Sequence, residues 1–121
     1  MALLGDPPTG PERRLTPRLQ VNGRIHGEIE SMNLRVRVLD IGLGGFSIET
    51  ADALEPGLYT VRFVQGPWSI SLSAWIRHAR PLRLTDESVR HVNGFEYADP
   101  QNPDTRQMIE ALLERLRSVL E

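Results

Sequence analysis

The stretch "LRVRVLDI", residues 34–41, alternates apolar with charged side chains, so that Leu34, Val36 and Val38 share one face and Arg35 and Arg37 the other. A period of two marks a half-buried β-strand, because successive side chains point to opposite sides of the pleat. "RLQVNGRI" before it reads the same way, and "GGFSIET", "LYTVRFV", "WSISLSAWIRHA" and "VNGFEYA" after it are rich in β-branched and aromatic residues. Asn22-Gly23, "EPG" at 55–57, "QGP" at 65–67 and Asn93-Gly94 supply turn-forming residues between them. The pattern predicts about six short antiparallel strands. A flat sheet of that size would expose one face and two edges, so the expected fold is a barrel or sandwich over residues 18–98.

The period changes at the C-terminal end. Met108, Ile109, Leu112, Leu113, Leu116, Val119 and Leu120 fall on one helical face, which predicts an amphipathic helix over residues 104–120. Asn102 or Asp104 can cap it, and Pro103 suits its first turn if Asn102 is the cap. Such a helix either covers an open end of the barrel or pairs with a partner or a second copy, which leaves monomer and homodimer both open. Residues 1–12, "MALLGDPPTGPE", have no periodicity and hold three of the nine prolines, so they are expected to form a mobile tail before one domain at 13–121.

Composition narrows the chemistry. The 121 residues carry a net charge of -2, so no global basic field draws the chain to nucleic acid, and any anion site must be local. All 14 basic residues are arginine, able to bind carboxylates and phosphates through a planar fork. With no cysteine there is no disulfide, thiolate metal site or cysteine nucleophile. His26, His78 and His91 are scattered, without metal-ligand spacing, and read as surface or structural residues. Ser69, Ser71 and Ser73 describe a strand face rather than a nucleophile beside a base. The sequence holds no catalytic constellation, P-loop or dinucleotide fingerprint, so no enzyme, cofactor or metal is expected. Nor does it show a signal peptide or an apolar run long enough for a membrane span, and a soluble cytoplasmic protein is the expectation.

Two stretches remain that can carry chemistry. "ERRLTPR", residues 12–18, brings Arg13, Arg14 and Arg18 together next to the tail. "LDIGLGGFSIE", residues 39–49, sets Asp40 ahead of Gly42, Gly44 and Gly45. The glycines either supply positive φ angles for a tight turn or let a flat ligand rest on bare backbone. Asp40 either bonds its own turn or accepts hydrogen bonds from guanine N1 and N2, while an arginine fork suits guanine O6 and N7 or a phosphate.

Taken together, Arg14-x-x-x-Arg18 followed by Asp40-x-Gly42-x-x-Gly45 resembles the signature of the PilZ domain, R-x-x-x-R then [D/N]-x-S-x-x-G. The strand layout and terminal helix extend the resemblance over residues 12–120. It implies a six-stranded antiparallel β-barrel with a C-terminal helix, acting as a non-enzymatic bacterial receptor for cyclic di-GMP. Carried over, Arg14 and Arg18 are a clamp that folds over the nucleotide, Arg13 an auxiliary cation, Asp40 the guanine acceptor and Gly45 the turn glycine. Trp75 is either a stacking wall beside the ligand or a core residue. Gly42 stands where the family has serine, which removes one ligand contact. The resemblance therefore implies two roles: a nucleotide-gated module signalling to a protein partner in trans, or an adaptor that has lost its ligand.

Overall fold

The computed structural model describes residues 18–120, with the side chain of residue 120 left aside. The tail at 1–12, Arg13 and Arg14 lie outside the described residues. Among the described residues seven strands run in the order β1 Arg18–Gln20, β2 His26–Ile29, β3 Leu34–Gly42, β4 Gly45–Thr50, β5 Leu58–Gln65, β6 Trp68–Arg83 and β7 Val89–Tyr97, followed by helix α1, Pro103–Leu120. All pairings are antiparallel. The sheet order is β1-β3-β2-β5-β6-β7-β4, and the extra pairing of β3 with β4 closes β2 to β7 into a six-stranded barrel with β1 added along β3.

Where the sequence reads a single run at 18–25, the chain forms β1, then a turn, then β2, and both strands lie along β3. Asn22 (φ 54°) and Gly23 (φ 78°) make that turn, closed by a bond from the Arg24 amide to the Val21 carbonyl at 3.1 Å. Asn22-Gly23 is thus a corner within one edge rather than a hairpin between paired strands. The "QGP" turn joins β5 to β6, with Gly66 at φ 60°.

Asn93-Gly94, in contrast, is not a turn. Both residues sit inside β7, opposite Ile48 and Ser47 of β4. Asn93 is fully buried and donates its amide to Thr50 Oγ1 at 2.9 Å, a partner that lets a polar side chain occupy a strand interior.

The inward residues of the strands form one core: Val38, Ile41, Phe46, Ile48, Val61, Phe63, Leu72, Phe95 and Tyr97 are buried, with Phe46 and Phe95 stacked at 4.9 Å. Ile109, Leu112, Leu113 and Leu116 of α1 are buried in the same cluster. The apolar face of the helix therefore completes this chain's own core. Its start is fixed by Asn102, whose Oδ1 accepts the amide of Asp104 at 2.8 Å, with Pro103 at the first helical position. Its last turn is held by Arg24, which donates to the Val119 carbonyl at 2.7 Å.

Candidate functional site: a groove across five strands

Strict alternation from Val36 and Val38 would point Asp40 into the core. It does not, because the register between β3 and β4 shifts between Val38 and Asp40. Leu39 is an extra residue, a β-bulge that turns the strand over, so Val38 and Ile41 both point inward and Asp40 points out. β6 repeats the device. Its register with β7 shifts between Ile76 and His78, which makes Arg77 the extra residue and His78 an outward one.

The two bulges lie at the same level. Gln20 of β1 faces Asp40, Asp40 faces Ser47, Ser47 faces Gly94, and Gly94 faces His78. This lateral row crosses five strands, β1-β3-β4-β7-β6, on the outside of the barrel. It floors a groove of about 780 Å³, also lined by Arg18, Arg77, Arg80 and Glu96. That volume lies within the usual range of small-molecule sites. Three arginines against two carboxylates give the lining a net charge of +1 with His78 neutral, in a chain whose own charge is -2. This is the local cationic site that the composition requires of any anion binder.

At the β1 end, Arg18 Nη1 donates to Asp40 Oδ1 at 2.9 Å and to Ser47 Oγ at 3.4 Å. Both ion-pair side chains are mostly buried, at 17% and 15% exposure, so their charges are less screened than those of a surface pair. Arg18 takes up one oxygen of the carboxylate, and a carboxylate has room for about four acceptor contacts. Asp40 can therefore hold Arg18 and still accept from a ligand in the groove. Ser47, accepting from Arg18, keeps its own hydroxyl proton to donate.

Of the two jobs open to the glycines, supplying positive φ angles is not theirs. None of Gly42, Gly44 and Gly45 has positive φ. Gly45 is required by close approach: a Cβ there would lie 1.8 Å from the Phe95 carbonyl oxygen. Gly42 faces Arg18 in the β1–β3 ladder, and its carbonyl accepts the Tyr97 hydroxyl at 2.9 Å. Burial pushes the Tyr97 phenol well above its usual range, so this brace under the β3–β4 turn stays protonated at neutral pH. Gly94 leaves the middle of the floor bare; a Cβ there would meet the His78 ring only at 3.6 Å, an ordinary contact.

Of the residues singled out from sequence, Arg18 and Asp40 meet in the groove, and Gly42 and Gly45 shape the backbone beneath it. Trp75 is 41% exposed and not a core residue. It does not line the groove but faces Glu96, which does, and so stands at its edge. Ser47, Gly94, His78 and Arg80 were not legible as site residues, because only the two bulges and the long-range pairing bring them into one row.

A family model described as PilZ domain matches residues 12–115. The chain belongs to the PilZ domain family. Solved structures of similar fold include the MrkH–c-di-GMP complex of K. pneumonia, with TM-score 0.66 and 14% identity over 88% of this chain and 54% of that one. The PilZ domain of YcgR from Escherichia coli with c-di-GMP has TM-score 0.59 and 18% identity, covering 89% of this chain and 97% of that one. The Bacillus subtilis inhibitor of motility MotI/DgrA has TM-score 0.58 and 18% identity, over 88% of this chain and 52% of that one. This PilZ chain thus spans about half the length of the MrkH and MotI chains. No characterised protein sequence matches it closely. The six-stranded closed barrel with an added strand and a C-terminal helix is the PilZ fold.

Proposed function

We propose that this PilZ domain is a non-enzymatic receptor for cyclic di-GMP, which binds in the groove across β1, β3, β4, β7 and β6. The observation that carries the reading is the Arg18–Asp40 pair at 2.9 Å, beside glycine backbone in a groove whose lining is net cationic. Guanine meets the free edge of Asp40 through its N1 and N2 donors, and the remaining Arg18 donors take a phosphate or the O6/N7 edge. Flat bases rest on the bare backbone at Gly44 and Gly94, which both line the groove, beside Trp75 at the rim. Solved PilZ relatives hold c-di-GMP, which supports the ligand class.

Arg14 closes the clamp with Arg18, and Arg13 adds a further cation. The N-terminal segment changes conformation as it closes on the nucleotide, and a protein partner in trans reads the altered surface. The setting is the bacterial cytoplasm, in control of motility or biofilm. No helix among the described residues is long and apolar enough to cross a membrane.

A second reading has one observation in its favour. Gly42 offers no hydroxyl where the family has serine, as in a PilZ adaptor that keeps the barrel, loses the nucleotide and binds its partner constitutively. Displacement of a fluorescent cyclic di-GMP analogue separates the two readings. The receptor reading predicts saturable binding reversed by cyclic di-GMP, weakly by cyclic di-AMP and lost in Asp40→Ala. An analogue that does not bind leaves the adaptor.

A further inference from the structure

The three arginines that line the groove differ in what holds them. Arg18 is paired with Asp40 and Arg77 with Glu96 at 2.7 Å, whereas Arg80 has no carboxylate partner among the described residues. Nearby on the same outer surface, Arg90 is engaged by Glu49. Arg80 stands opposite Val92 in the β6–β7 ladder, two residues beyond His78, and shares the outward face that the Arg77 bulge creates. It is an exposed guanidinium beside an apolar neighbour, at the opposite side of the groove from Arg18.

From this arrangement we infer that Arg80, with His78 next to it, is a second anion grip, which holds the far phosphodiester of a ligand whose near end is held by Arg18 and Asp40. The inference rests on the cyclic dinucleotide reading above. A cyclic dinucleotide carries two separated negative charges, and Arg18 alone accounts for one side of the groove. An unpaired guanidinium keeps all five of its donors for a phosphate, whereas Arg77 would first have to give up Glu96. The base between the two grips lies over Gly94, where the absent side chain leaves room next to the His78 ring. The ligand then ties β1 to the β6–β7 hairpin, which have no direct pairing of their own. Binding therefore couples a strand at the end of the sheet to a hairpin that extends beyond it.

Calorimetric titration of cyclic di-GMP into wild type, Arg80→Ala, Arg80→Lys and Arg77→Ala, each at low and at physiological ionic strength, tests the grip. A charge-assisted bond contributes about 1.5–3 kcal/mol, or roughly 10- to 150-fold in affinity, before screening at an exposed site reduces it. The expected result is a loss of about 10-fold in Arg80→Ala at low salt that shrinks as salt rises, with partial recovery in Arg80→Lys and a smaller effect in Arg77→Ala. Thermal melting of Arg80→Ala should match wild type, since its side chain is exposed and makes no ion pair among the described residues. Wild-type binding that is unchanged in Arg80→Ala at both salt concentrations overturns the grip and leaves the receptor reading intact. No binding by wild type overturns the receptor reading, and the grip with it.

Discussion

Arg18 lies opposite Gly42 in the β1–β3 ladder but bonds Asp40, two residues back along β3, at 2.9 Å. The bond runs diagonally across the ladder, past the backbone of Gly42. It joins the first strand to the bulged one by a mostly buried charge pair. Removing either partner leaves the other without its main contact. Asp40→Ala and Arg18→Ala should each cost about 1–3 kcal/mol of stability, read from urea midpoints, and should each abolish measurable cyclic di-GMP binding.

Gly42→Ser adds a hydroxyl on the same outward face as Arg18. A net hydrogen bond is worth about 0.5–1.5 kcal/mol, so cyclic di-GMP affinity should rise by roughly 2- to 13-fold. A fluorescence titration of the variant checks this, and unchanged or weaker binding would mean that the position makes no ligand contact.

Gly45 and Gly94 lie on the paired strands β4 and β7, one buried beneath the groove and the other lining it, and alanine should act differently at the two. At 45 the new methyl would collide with the Phe95 carbonyl 1.8 Å away, and backbone on both strands would have to move. Gly45→Ala should lose about 3 kcal/mol or fail to fold. At 94 the nearest atom is 3.6 Å off, so Gly94→Ala should melt near wild type while raising the groove floor and weakening ligand binding. Melting curves and titrations of both variants separate a backbone requirement from a ligand requirement.

His26 lies diagonally across the β2–β3 ladder from Arg35, whose guanidinium meets its Nδ1 at 3.2 Å. Burial first, and then the Arg35 charge, lowers the imidazole pKa below its ordinary value. The unfolded chain therefore binds this proton more readily than the folded one. The contribution of His26 to stability is intact above about pH 6.5, declines as pH falls through that value, and is fully lost below the folded pKa. Denaturation at several pH values should show a smaller acid-side decline in His26→Gln than in wild type.

The barrel was legible because alternation is a local property: Leu34, Val36 and Val38 declare their face without reference to any other strand. The helix was equally plain, and of the two caps its sequence allows, Asn102 and Asp104, the chain uses Asn102. What escaped was long-range. Asn93-Gly94 looks like a hairpin turn until Ile48 and Thr50 supply the partners that bury Asn93 within β7. The split of the first run into β1 and β2 depends on both halves pairing with one strand. Asp40 was found through its motif even though its period places it inside. His78 has no motif, so only the bulge at Arg77 brings it to the groove. Ser47 and Arg80 owe their roles to neighbours far off in sequence.

The most direct test is amide chemical-shift mapping of ¹⁵N-labelled protein during titration with cyclic di-GMP. If the groove is the receptor site, Gln20, Asp40, Ser47, Gly94 and His78 should shift together and saturate, although they come from five different strands. Signals of the buried helix face at Ile109 and Leu112 should stay in place. A spectrum unchanged at saturating nucleotide, or shifts confined to another face of the barrel, would contradict the account.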